Sequence, residues 1–200
     1  MPIPERSVLD RVQLELVQRL IDINQQRHDE TYEHAERVGR VSAAIATALG
    51  MDGHFIAQIE IAARLHDIGK IAIPDGILFK STYLSPEEWV IMRTHPVIGA
   101  KILSDTPTPI LQMAATIARH HHERWDGSGY PDQLIGNQIP LSARIVAVAD
   151  VFDALTNRRP YKDAWPVEAA IQAICQAAAT QFDPTVVHAF LQISDIVQPT

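Results

Sequence analysis

Cysteine is nearly absent from this chain. Cys175 stands alone among 200 residues, so no intrachain disulfide can form and a thiolate metal cage is excluded. Basic charge is also short: 17 lysines and arginines face 24 acidic residues, a net charge of −7. General affinity for nucleic acid or an anionic membrane needs a basic face, so neither is expected as a partner. An anionic substrate would need local cations to overcome the global field. Long hydrophobic runs are missing. Nothing approaches the roughly 20 apolar residues of a membrane span, and Met1 to Leu20 lacks a signal-peptide core. No internal repeat, low-complexity tract or linker interrupts the sequence. With 46% apolar and 20% charged residues, the composition is that of a folded chain with a sizeable core. The expectation is one soluble, cytoplasmic domain.

The periodicity is helical nearly throughout. Val8, Leu9, Val12, Leu16, Leu20 and Ile23 recur every three or four residues and give an amphipathic first helix. A second helix is expected from about Thr31 through Val38, Val41, Ile45 and Leu49, with Gly50 as its C-cap. Ile56, Ile59, Ala63 and Leu65 mark a third, ending near Gly69. Ser85-Pro86-Glu87-Glu88 is a capping box with proline at the first helical position. The helix it opens is expected to run to His95-Pro96, where proline stops or kinks it. Thr108-Pro109 opens the next, which reaches His120, and one long loop follows from Glu123 to Pro140. Leu141 to Leu155 has a strand-like apolar pattern, but its length and alanine content favour a buried helix. Two more helices are expected from about Val167 and from Asp183-Pro184. The fold class is all-α.

Nine histidines stand against one cysteine and four methionines, and histidine is the commonest metal ligand. His66-Asp67 falls at the expected end of the third helix, followed by Gly69-Lys70. Adjacent helical residues point about 100° apart, but at a helix end both can reach one ion or bridge two. An imidazole and a carboxylate suit iron, manganese or zinc; a capped terminus with a hydrogen-bonded imidazole is the plainer alternative. Glu30 and His34 are four apart, on one helical face, as on many solvated faces. His95 precedes Pro96, and His120-His121-His122-Glu123 precedes a glycine-bearing loop. Asp150 lies inside an apolar run, where a buried charge must be paired or bind a metal. His28, His54 and His188 have no such context and read as ordinary surface or core histidines. His120 stays open between ligand and packing residue.

Read as a string, the chain gives His34, then His66-Asp67-x-x-Lys70, then His95-Pro96-x-x-Gly99. His121-His122-Glu123-x-x-Asp126-Gly127-x-Gly129-Tyr130-Pro131 follows, and then Asp150-x-x-Asp153-Ala154-Leu155-x-x-x-Arg159-Pro160-Tyr161-Lys162. This order resembles the HD-GYP domain, the subgroup of HD-superfamily metal phosphohydrolases that degrade cyclic di-GMP. The resemblance covers roughly Asp29 to Leu191. It implies an HD-superfamily helical bundle with a buried multinuclear metal site over residues 29–200. Residues 1–28 would then form an N-terminal amphipathic helix acting as a linker or a dimerisation helix. Carried over, the family's metal ligands fall on His34, His66, Asp67, His95, His121, His122 and Asp150, with Asp67 as the bridging carboxylate. Glu30 occupies the position used for a third metal. Lys70 takes the place of the lysine beside the metals, and Tyr130, Asp153, Arg159 and Lys162 fall at substrate-contacting positions. Two positions depart from the pattern: Gln133 and Ala179 stand where glycine is usual.

The activity this implies is hydrolysis of cyclic di-GMP to linear pGpG or GMP through a metal-bridging hydroxide. Asp67 and Lys70 would be the catalytic residues, with two or three divalent ions, iron first and manganese second. Two metals can activate water, clamp phosphoryl oxygens and help the leaving alkoxide, and their charge overrides the chain's −7. Regulatory or diguanylate cyclase proteins are the expected partners, with homodimerisation through the first helix. Two rival readings remain: an HD-type hydrolase of another nucleotide or cyclic dinucleotide, and an idle cyclic di-GMP-binding signalling module.

Overall fold

The structure is a computed structural model and describes residues 14–23, 32–157 and 163–193. Helix α1 is described over residues 14–23. It is followed by α2 (Tyr32–Ala48), α3 (Gly53–Ala62), α4 (Asp75–Leu78), α5 (Pro86–Met92) and α6 (His95–Leu103). Then come α7 (Pro109–His120), α8 (Leu141–Thr156), α9 (Val167–Gln176) and α10 (Pro184–Ile193). Among the described residues the only strand-like contact is an isolated bridge between Ala178 and Phe182. The fold is all-α, as the periodicity required.

The apolar faces read from the sequence close on one core. Val38, Val41 and Ile45 of α2 are buried with Ile59 of α3, Ile117 of α7 and Val186 and Phe190 of α10. Helix α8 runs through the middle: Ile145, Val146, Ala147, Val148 and Ala149 are all buried, which explains a pattern with no polar face. Phe152 meets Phe190 edge to face, with centroids 5.0 Å apart. Val17 and Ile21 join this core, while Leu14, Leu16 and Ile23 stay exposed.

Two local expectations change. The third helix does not run to Gly69. Helix α3 ends at Ala62 and gives way to 3₁₀ turns at Ala63–Leu65 and Ile68–Ala72. Asp67, at φ −102° and ψ 11°, sits in the break between them. His95, expected to end a helix, instead opens α6 with Pro96 in its first turn. Proline lacks only an N–H that the first turn leaves unsatisfied anyway, and the capping-box helix has already stopped at Met92.

Glycine decides how these pieces meet. A Cβ on Gly69 would lie 1.9 Å from the His95 carbonyl oxygen and 2.5 Å from Gly99 N. Only a bare backbone lets the 3₁₀ turn lie flat against the start of α6. That contact brings Asp67 and Lys70 beside His95, joining two motifs that the sequence holds apart.

Candidate metal centre

Five elements deliver the ligand-type side chains to one place. His34 comes from α2, His66 and Asp67 from the break after α3, and His95 from the first residue of α6. His121 and His122 follow α7, and Asp150 comes from α8. The donor atoms fall into two groups: Asp67 with His95, His121 and His122, and His34 with His66 and Asp150. Within each group all donor atoms lie within 4.8 Å of one another. The Asp67 carboxylate spans both. Its Oδ1 is 3.1 Å from His95 Nε2 and 3.5 Å from His121 Nε2, while its Oδ2 is 3.3 Å from His66 Nε2. His66 Nε2 is in turn 3.9 Å, and His34 Nε2 3.6 Å, from Asp150 Oδ1.

The far side of three imidazoles fixes their tautomers. His66 Nδ1 lies 2.8 Å from the Ala63 carbonyl, and His95 Nδ1 2.8 Å from that of Met92. His121 Nδ1 lies 3.0 Å from the Ala118 carbonyl. A carbonyl only accepts, so these nitrogens carry the protons and the Nε2 lone pairs point inward. His95 Nε2 and His121 Nε2 then face each other at 3.4 Å, with a carboxylate oxygen beside both. Asp67 Oδ1 is buried and receives no hydrogen bond among the described residues. Lone pairs converging on a carboxylate repel unless a cation lies among them. The donor set therefore fits a divalent metal ion, with nitrogen and oxygen ligands suited to iron, manganese or zinc.

The electrostatics keep the donors in their ligating forms. Burial raises the Asp67 pKa, but the Lys70 ammonium and the His66 imidazole outweigh it and hold the group well below the usual carboxylate range. Lys70 Nζ is 2.6 Å from Asp67 Oδ2. Burial pushes His122 well below the ordinary histidine value, reinforced by His121, and burial lowers His121 as well. Both imidazoles are neutral at neutral pH, the form that binds metal.

Asp153, which the HD-GYP resemblance put among substrate contacts, lies beneath the site against His34. It is 3% exposed, its Oδ2 2.6 Å from His34 Nδ1, and it also accepts from Arg37 and Asn157. It orients His34 as the carbonyls orient the other imidazoles. His34 and Arg37 share one helical face and Asp150 and Asp153 another, each three residues apart. His120 lies outside both groups, Nε2 3.1 Å from Asp132 and Nδ1 3.0 Å from the Thr116 carbonyl. Glu30, Arg159 and Lys162 fall outside the described residues.

The loop after His122 folds back over the cluster. Tyr130 stacks on the His122 ring, with centroids 4.8 Å apart and planes 23° apart. Burial, helped by the Asp67 charge, pushes the Tyr130 phenol up to about 12, so it stays neutral at neutral pH. A Cβ on Gly129 would lie 2.3 Å from Arg124 N, so glycine is required for the loop to close. Glu123, 3% exposed, anchors the return: its carboxylate accepts the backbone N–H groups of Asp132, Gln133 and Leu134 at 2.7, 3.1 and 3.1 Å. Sequence reasoning had given Glu123 no separate task.

A family model described as HD domain matches residues 16–186. The chain belongs to the HD-domain family. It is 50% identical over 179 residues to a cyclic di-GMP phosphodiesterase of Thermotoga maritima, covering 90% of this chain and 49% of that protein. A cyclic di-GMP phosphodiesterase response regulator of Xanthomonas campestris pv. campestris is 47% identical, over 89% of this chain and 47% of its own length. The chain thus spans about half the length of these curated relatives. Among solved structures, a cyclic GMP-AMP specific phosphodiesterase of Vibrio cholerae superposes with a TM-score of 0.65 at 21% identity, covering 90% of this chain and 48% of that one. The HD-GYP resemblance read from the motifs agrees with these relatives.

The two departures from the HD-GYP pattern have a structural counterpart. Gln133 and Ala179 adopt φ of 55° and 64°, the left-handed region that glycine enters without a Cβ penalty. No helix of the described HD-domain residues is long and apolar enough to cross a membrane.

Proposed function

We propose that this HD domain is a metal-dependent phosphodiesterase that hydrolyses cyclic di-GMP. The observation that carries the reading is the Asp67 carboxylate, one oxygen turned to each donor group, with imidazole Nε2 atoms around it. One ion is assigned to Asp67, His95, His121 and His122, and a second to Asp67, His34, His66 and Asp150. Iron is the first choice and manganese the second; Glu30 is assigned to a third ion. When bound, such ions supply Lewis-acid stabilisation of phosphoryl oxygens and acidify water. The chain's own residues do the rest. The Nδ1–H bonds hold the imidazoles in one tautomer and one orientation, and the buried walls keep bulk water from the reacting phosphate. Lys70, already beside the shared carboxylate, donates a hydrogen bond to a phosphoryl oxygen and holds its developing charge. Tyr130, neutral and stacked on His122, forms a wall for a base or ribose. Arg159 and Lys162 are assigned to phosphate and guanine contacts. The identities of 50% and 47% to proteins named for cyclic di-GMP favour that substrate over other cyclic dinucleotides.

Protein purified without oxygen should contain divalent metal and cleave cyclic di-GMP in the same sample. Asp67→Ala removes the charge between two cations, so metal and turnover should vanish together. Full metal and wild-type turnover in Asp67→Ala would rule out the shared-carboxylate centre. A metal-loaded wild type that leaves cyclic di-GMP intact but cleaves 3′3′-cyclic GMP-AMP would make that dinucleotide the substrate.

A further inference from the structure

Arg93 has no part in the centre described above, yet the fold places it at the rim. It caps α5, two residues before His95. Its guanidinium carbon lies 5.1 Å from the Tyr130 ring centroid and 5.9 Å from that of Trp89. Tyr130 stacks on His122, so Arg93 stands only two contacts from a metal-ligand candidate. Among the described residues no carboxylate lies within ion-pair distance of it. Among the described residues, by contrast, Arg37 is engaged with Asp153, Arg119 with Asp132 and Arg144 with Asp183.

Stacking over an aromatic ring fixes a guanidinium without using its N–H donors, which all lie in the guanidinium plane. Such a cation is pre-organised, so little further side-chain freedom is lost on binding an anion. In a chain of net charge −7, an unneutralised arginine at the mouth of a phosphate-handling site is a local attractor. Its fork matches the paired oxygens of a phosphodiester. A cyclic dinucleotide carries two phosphodiesters, and only one is cleaved at a time.

We propose that Arg93, held over Tyr130, contacts the substrate and binds the phosphodiester that is not being hydrolysed. The assignment rests on the cyclic-dinucleotide reading above. It makes Tyr130 a platform for the cation as well as a wall of the pocket.

Steady-state kinetics of metal-loaded protein test it, on cyclic di-GMP and on bis(p-nitrophenyl) phosphate, which carries a single phosphodiester. Arg93→Ala should raise KM for cyclic di-GMP about 10- to 100-fold, the scale of charge-assisted hydrogen bonds, with kcat changed less than about twofold. The small diester should be hydrolysed as by wild type. Arg93→Lys should recover part of the loss, and Arg93→Gln, similar in polarity but uncharged, should not. An unchanged KM in both uncharged variants, or equal losses on the two substrates, would overturn the assignment and leave Arg93 a packing residue for Tyr130. A different result separates the underlying reading: if wild type cleaves only 3′3′-cyclic GMP-AMP, cyclic di-GMP is the wrong substrate and the same Arg93 comparison is made on that dinucleotide. Wild type that hydrolyses only the small diester would overturn both.

Discussion

At the scale of single residues, the backbone at Ala179 records a tension between sequence and fold. Its φ of 64° costs an L-residue roughly 1–2 kcal/mol, yet the turn needs it. From there the Ala179 N–H donates to the Phe182 carbonyl at 2.9 Å, setting up the entry to α10. The methyl group is exposed, so removing it forfeits little packing. Ala179→Gly relieves the strain but gives the unfolded chain more freedom, worth about 0.4–1 kcal/mol. The balance favours glycine by about 0.5–1 kcal/mol. In a domain of this size that is a rise in melting temperature of about 1–4 °C, measurable by calorimetry. A lower melting temperature would mean the αL cost at this turn is already relieved by something other than the backbone.

At the scale of elements, the loop between α7 and α8 depends on one buried carboxylate. Glu123 gathers three consecutive backbone N–H groups just after Tyr130-Pro131, beside ties that include Arg119 to Asp132, Trp125 N to the Gln181 carbonyl and Asp126 N to that of Thr180. Glu123→Ala leaves three donors without their acceptor and should cost about 3 kcal/mol. Glu123→Gln keeps one oxygen for two of them and should cost less. Both should raise KM for the cyclic dinucleotide through Tyr130, in the same order as the stability loss. Metal content should hold in Glu123→Gln, since none of the donor atoms moves to a new partner. Wild-type melting and KM in Glu123→Ala would dismiss the anchor.

What the sequence disclosed also divides at this scale. The helices with a clear apolar stripe, α2, α7, α9 and α10, were legible, α8 was legible from its length and alanine content, and so was the capping box of α5, where Ser85 Oγ accepts from Glu88 N and Glu88 accepts from Ser85 N. Helix α6 was not. Its signal was a proline, which ends one helix and opens another equally well. The seven ligand-type residues His34, His66, Asp67, His95, His121, His122 and Asp150 could be named as candidates because the motifs that carry the HD-GYP resemblance are local in sequence. The task of Asp153 could not: its partner His34 is 119 positions away, and a long-range contact leaves no spacing to read. Arg93 was missed for the same reason, since its relation to Tyr130 exists only after the loop folds back.

At the scale of the whole molecule, the donors span from α2 to α8, and each sits at the edge of the single core. The centre therefore exists only when α2, the turns after α3, α6, α7 and α8 are all docked. Metal binding of this kind is linked to folding, since the unfolded chain presents no such site. A free ion at 100 times its dissociation constant adds about 2.7 kcal/mol. Chelation should therefore lower the melting temperature by about 5–10 °C, with helical circular dichroism retained at 20 °C. The stripped protein should also become acid-sensitive in a definite direction. His121 and His122 are held below the ordinary histidine value, chiefly by burial, so the unfolded chain takes up protons first as pH falls. Their contribution to stability is complete above about pH 6.5, the unfolded value, and is lost progressively below it. Melting of stripped protein from pH 8 to pH 5 should show the decline beginning near that point, and His122→Ala should flatten it. A melting temperature indifferent to chelation would break the link between the converging imidazoles and a bound ion, because two lone pairs 3.4 Å apart beside a buried carboxylate cannot be neutral to the removal of the charge that reconciles them.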